Sequence, residues 1–159
     1  MIAQRLVELT VARSHERILM ASGAREVDKA GYKYLVLMHL LFFVSFLSEE
    51  LLLNRPLNPA WRILLPIFIV AQFLRYWAIF SLGAYWNTKI LVATRHPPIR
   101  KGPYRFFRHP NYAAVATEFV VAPLLFSCCI TAAVFTIMNA ILLRRRIGIE
   151  VRALDAEWK

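Results

Sequence analysis

The chain has 159 residues, 58% of them hydrophobic and 19% charged, and carries a net charge of +10. Soluble domains run about 45–50% apolar and about 25% charged, and the apolar excess here falls in blocks, which argues against an ordinary soluble fold. The basic residues flank those blocks, as topology signals do, and form neither a free tail nor a stripe interleaved with aromatics, so a nucleic-acid partner is disfavoured.

The length suits a single domain, 1–159. Residues 2–21 read as a helix, with Ile2, Leu6, Leu9, Ile18 and Leu19 separated by charges and Gly23 as its stop. It is either an amphipathic helix in the membrane interface or the end of a truncated membrane helix. Its charges leave no continuous apolar stretch for a cleavable signal peptide.

The first span is expected at about Tyr34–Leu53, with His39 near its start and Glu49 and Glu50 near its end. Asn54 to Pro59 holds two prolines and two asparagines and reads as a turn. The second span is expected over Trp61–Leu82. Arg75 sits inside it, where a charge costs about 2.5–3.5 kcal/mol, so it should either pair with Glu49, Glu50 or Glu118 or snorkel to the interface.

Residues 83–111 are polar. Ala113–Leu143 is apolar for about 31 residues, too long for one straight span at 1.5 Å per residue. Pro123 divides it into a hairpin of two helices, 112–126 and 127–143, followed by Arg144-Arg145-Arg146 and a short amphipathic tail. The fold expected is therefore an all-α integral membrane protein with about four transmembrane helices, the last two a hairpin. Basic residues in 1–33, in 83–111 and in the tail put both termini and that loop on the cytoplasmic side, in a bacterial inner membrane. Cys128 and Cys129 are adjacent within the hairpin, spaced for neither zinc nor a structural disulfide, and no metal site is expected.

Residues 96–112, His-Pro-Pro-Ile-Arg-Lys-Gly-Pro-Tyr-Arg-Phe-Phe-Arg-His-Pro-Asn-Tyr, combine two histidines, two tyrosines, four prolines and several arginines. Prolines stiffen the segment, and its end falls at a helix N-terminus, where free N–H groups favour an anion. On the residues alone, a basic topology loop explains the arginines equally well. Arg146 and Glu150, four apart, share a helix face on the same side of the membrane. A surface ion pair there would contribute only about 0.3–0.5 kcal/mol.

The pattern His96-x-x-Ile99-x-x-Gly102-x-Tyr104-x-x-x-Arg108-His109-Pro110-x-Tyr112, followed after an apolar hairpin by Arg146-x-x-x-Glu150, resembles the isoprenylcysteine carboxyl methyltransferase family of membrane methyltransferases. The likeness extends over about residues 83–150, and the earlier part is similar to a short bacterial branch, some of whose members methylate polyketide alkylpyrones or alkylresorcinols. The resemblance implies S-adenosylmethionine as cofactor, bound by about 83–159 without a soluble methyltransferase fold. It implies cofactor contacts at His96, Pro98, Ile99, Tyr104, His109, Pro110, Asn111, Tyr112 and Glu150, with Arg146 as the substrate-side arginine. Lys89 falls where relatives place a polar cofactor contact. Two positions depart from the family pattern: Ala114 replaces a frequent glycine, and Val151 a frequent acidic residue.

Methyl transfer from a sulfonium is an in-line displacement that needs alignment and water exclusion. A carboxylate acceptor needs only orientation by Arg146. A phenol or enol needs a proton removed, for which Glu118, His109 and Glu150 are the candidates. The reading is an O-methyltransferase acting at the lipid bilayer on a lipophilic small molecule. The alternatives are a prenyl-type substrate (carboxyl methylation of isoprenylcysteine), a phospholipid N-methyltransferase and a non-catalytic membrane scaffold.

Overall fold

A computed structural model describes residues 1–92 and 99–157. Its helices in chain order are α1 (Ile2–Ala21), α2 (Lys29–Leu53), α3 (Trp61–Leu82), α4 (Pro110–Leu125) and α5 (Cys129–Glu157). Between α1 and α2 lies β1 (Arg25–Glu26), and β2 (Leu91–Val92) follows α3. The two strands pair antiparallel, Arg25 opposite Val92 and Glu26 opposite Leu91. This ribbon departs from the all-α expectation. Two residues per strand are too few for any period-2 pattern to show in sequence.

Two of the described helices, α2 and α3, are long and apolar enough to cross a bilayer. Two of the roughly four spans expected meet that measure of length and composition among the described residues. At 1.5 Å per residue α4 reaches only about 24 Å, short of a hydrocarbon core of about 30 Å. The second arm of the hairpin is longer than expected, running unbroken through Arg144–Arg146 to Glu157. Arginine is a good helix former, and no proline follows to stop it.

α2 starts five residues before the apolar run, at Lys29, because Asp28 caps it: its carboxylate accepts from the Gly31 N–H at 3.0 Å. A Cβ on Gly31 would come within 1.9 Å of that carboxylate, so a larger residue there would make the Asp28 side chain shift. The far end of the bundle is laced by loop contacts. Asn58 N–H donates to Leu125 O, and the Ser127 hydroxyl to Pro56 O at 2.8 Å. The start of α5 is capped from another helix. Glu49 of α2 accepts from the N–H groups of Ile130 and Thr131 at 3.1 and 2.7 Å.

The apolar core lies where α2, α4 and α5 meet, around Met38, Phe42, Val115, Phe119 and Phe135. The Phe42 and Phe119 rings lie 4.4 Å apart. α3 and α4 form the most extensive helix pair, with small buried residues on each: Ala71 and Ala78, Ala114 and Ala122. The Ala114 methyl group is fully enclosed.

α1 is held by polar contacts. Its buried residues are Glu8, Ala12 and Leu19. Glu8 receives Arg75 through Nε at 2.7 Å and Nη2 at 2.5 Å, while Arg75 Nη1 reaches Glu118 at 3.1 Å. Arg5 Nη1 and Nη2 bond the same two carboxylates, and Gln72 donates to Glu118 at 2.8 Å. Arg75 thus pairs with Glu118, one of the three partners expected, and with Glu8, which was not foreseen. It does not snorkel: only 3% of its side chain is exposed.

Candidate active site

At the end of the bundle where α3 finishes and α4 begins, a cavity of about 640 Å³ opens. Ligand pockets span about 300–1,000 Å³. Its walls come from the chain after α3, from residues 99–112 and from the last turns of α5. Six of the expected cofactor residues line it: Ile99, Tyr104, His109, Asn111, Tyr112 and Glu150. Pro110 is buried just behind, as the first residue of α4. It stands where the helix needs no N–H, with φ already suited to a first turn. His96 and Pro98 lie outside the described residues.

Tyr112 organises the site. Its hydroxyl donates to Glu150 at 2.7 Å and accepts from Arg146 Nε at 2.9 Å. The His109 ring stacks on the Tyr112 ring at 5.3 Å, and its Nδ1 is 4.0 Å from Glu150. Arg146 and Glu150 are therefore joined through a phenol, without the direct surface ion pair that their spacing would allow. Arg146 is 7% exposed and also donates to the Thr88 carbonyl. It does not line the cavity. Together with Asp28, Gly31, Leu35, Leu142 and Arg145 it borders a separate cleft of about 10 Å³, room for a water at most.

Tyr104 reaches the cavity from a 3-10 turn, Gly102–Arg105. Burial first, then the Glu150 charge, pushes its phenol above the usual range, so it remains an O–H donor at neutral pH. Lys89 also lines the cavity, but its ammonium group is occupied by Glu16 at 2.6 Å and Glu26 at 3.2 Å. The hydrogen bond to Glu16 holds it above its ordinary 10.5.

Glu118 does not share this site. It is 1% exposed, its carboxylate is filled by Arg5, Gln72 and Arg75, and it is absent from the cavity lining. A base with all its lone pairs engaged is poorly placed to take a proton.

The wall formed by Trp86, Asn87 and Leu91–Val92 was missed in the sequence, where no motif marks it. α1 fixes this wall. His15 Nδ1 bonds the Trp86 carbonyl at 3.0 Å, and Asn87 Nδ2 donates to the Ala12 carbonyl at 3.0 Å. Two cavity residues carry buried polar atoms without a partner among the described residues, Asn111 Oδ1 and Trp86 Nε1. Buried polar atoms are rarely left unpaired, and one free acceptor and one free donor beside a cavity match a polar ligand.

Apolar helices with a polar, tyrosine- and histidine-lined cavity at one end suit a membrane protein that takes a ligand at the bilayer face. The chain belongs to the isoprenylcysteine carboxyl methyltransferase (ICMT) family, whose profile matches residues 63–156. It is similar to Uncharacterized protein YpbQ of Bacillus subtilis, with 44% identity over 155 residues, 98% of this chain and 92% of that protein. It is also similar to an uncharacterized protein of Haemophilus influenzae, with 30% identity over 111 residues, 70% of this chain and 64% of that one. No solved structure matches the chain.

Proposed function

We propose that this protein is an S-adenosylmethionine-dependent O-methyltransferase acting on a lipophilic acceptor with an ionisable oxygen, of the alkylpyrone or alkylresorcinol kind. The observation that carries this reading is the Tyr112 hydroxyl held between Arg146 and Glu150. Glu150 and Tyr112 line a polar cavity large enough for a ligand, and Arg146 backs the Tyr112 hydroxyl from outside that lining.

The donor set fits the cofactor. Glu150 accepts from hydroxyl or ammonium groups, Asn111 Oδ1 is an unpaired acceptor and Tyr104 is an O–H donor. Tyr112 and His109 offer stacked ring faces suited to a cation or a heterocycle. When bound, the cofactor supplies a methyl group on an electron-poor sulfur. Arg146 holds the Tyr112 hydroxyl at the cavity wall, its positive charge behind that hydroxyl favours an anionic acceptor oxygen, and the aromatic and apolar walls exclude water. Because Tyr112 touches both Arg146 and Glu150, acceptor and donor ends of the site are mechanically linked.

Both termini and the 83–111 loop face the cytoplasm in this reading, with the cavity opening there. Carboxyl methylation of a prenylated cysteine is the second reading, favoured by the name of the family. A phospholipid amine suits the site less well, since a cation would sit beside Arg146 and Arg108.

The test is transfer of a radiolabelled methyl group from S-adenosylmethionine to candidate lipids by purified protein in bilayers. Label in an alkylpyrone or alkylresorcinol, and not in a prenylcysteine analogue, is the expected result. Absence of cofactor binding by calorimetry would overturn the enzyme reading itself.

A further inference from the structure

The 3-10 turn that delivers Tyr104 is pressed onto the last turns of α3. A Cβ on Gly102 would lie 2.0 Å from Ser81 Oγ and 3.0 Å from Trp77 Nε1, and its φ of +54° favours glycine independently. The turn is thereby fixed at the level where an apolar, bilayer-length helix ends. The outward side of α3 there is aromatic: Phe73, Trp77 and Phe80 are 72, 51 and 79% exposed. Phe106 and Phe107 follow the turn directly and are 72 and 62% exposed. Folding leaves both rings uncovered in an otherwise polar segment.

Around them stand Arg100, Lys101, Arg105 and Arg108, all exposed and none with a carboxylate partner among the described residues. Two uncovered aromatic rings at the end of a lipid-facing helix, ringed by unpaired cations, match a surface that is apolar below and anionic above. A soluble partner would have to match the aromatics while facing a bilayer.

We propose that residues 100–108 form a clasp for anionic phospholipid. Phe106 and Phe107 enter the apolar region beside the exposed side of α3, and Lys101 and Arg105, which do not line the cavity, hold headgroup phosphates of the same leaflet. The clasp is built on the backbone that carries Tyr104 and leads into His109, so a seated lipid steadies one wall of the cavity. This second step rests on the proposed cofactor site. The lipid binding does not.

The first experiment is native mass spectrometry of the cofactor-free full chain, offered phosphatidylglycerol and phosphatidylcholine in equal amounts. The wild type is expected to retain phosphatidylglycerol roughly fivefold or more over phosphatidylcholine. Lys101→Gln/Arg105→Gln should bring that ratio close to one. Phe106→Ser/Phe107→Ser should reduce retention of both lipids, with the thermal midpoint in detergent as the check on folding. No preference in the wild type, or an unchanged preference in the charge variant, overturns the clasp. The second experiment compares S-adenosylmethionine affinity by calorimetry in bilayers of each lipid. Tighter binding with phosphatidylglycerol supports the coupling, and equal binding overturns it. Binding in neither bilayer overturns the proposed function and leaves the lipid result standing.

Discussion

Arg75 and Arg146 each face a glutamate, and the two couples do opposite things. Around Arg75 every guanidinium nitrogen donates to a carboxylate, Arg5 closes the ring from α1, and Glu8 and Glu118 have no room for another donor. Around Arg146 a phenol is interposed, Glu150 keeps 27% of its side chain exposed, and a cavity lies alongside. The first arrangement is saturated and ties three helices together. The second has spare valences and open space. What separates a structural arginine–glutamate couple from a working one is whether any hydrogen-bonding capacity remains for a third party.

The contrast can be broken at its strongest point first. Arg75→Met leaves two buried carboxylates with only Arg5 between them, and should destabilise the protein by about 3–5 kcal/mol, read as the thermal midpoint in detergent. Glu150→Gln should leave that midpoint nearly unchanged and weaken cofactor binding roughly 10–100-fold by calorimetry, the worth of charge-assisted hydrogen bonds of about 1.5–3 kcal/mol. Arg146→Ala should instead lower turnover with a smaller loss of cofactor affinity. Equal affinity losses in the two variants would contradict the division of roles. Tyr112→Phe should fall between them, costing both affinity and turnover about tenfold, since one hydroxyl serves both sides.

The smallest effect is expected at Lys89, whose 21% exposed side chain bridges Glu16 and Glu26. Lys89→Met should cost at most about 1 kcal/mol. Those partners raise its folded pKa above 10.5, so the contribution is complete below that pH and fades as pH climbs through the higher folded value. The stability difference between wild type and variant should therefore be flat near neutrality and close in strong alkali, as followed by thermal unfolding against pH.

How much could be read beforehand varies with how local the cause is. The apolar runs and the Pro/Asn turn marked α2 and α3, and the His109-Pro110-x-Tyr112 run marked the start of α4. Pro123 marked the turn between α4 and α5. Helix starts moved through single contacts, Asp28 folding onto Gly31 and Glu49 reaching across to α5, and through proline at the first position of α4, while arginines prolonged the end of α5. The anchoring of α1 was illegible, because Gln4, Arg5 and Glu8 find partners on α3 and α4. Their signal was three polar side chains within one and a half turns of a partly apolar helix. Within the site, side chains carried by the family pattern could be named. The Trp86–Val92 wall is shaped by the His15 ring and the Ala12 carbonyl of α1 and by a two-residue ribbon, none of which leaves a mark in sequence.

The cap that Glu49 places on α5 has a consequence for biogenesis. The two amides at the start of α5 obtain their acceptor from a residue made some eighty positions earlier. Synthesis runs from the N-terminus, so the carboxylate that caps the last helix exists before the amides it serves. The charged half of α5, with Glu150, is the last part of the cavity lining to be synthesised.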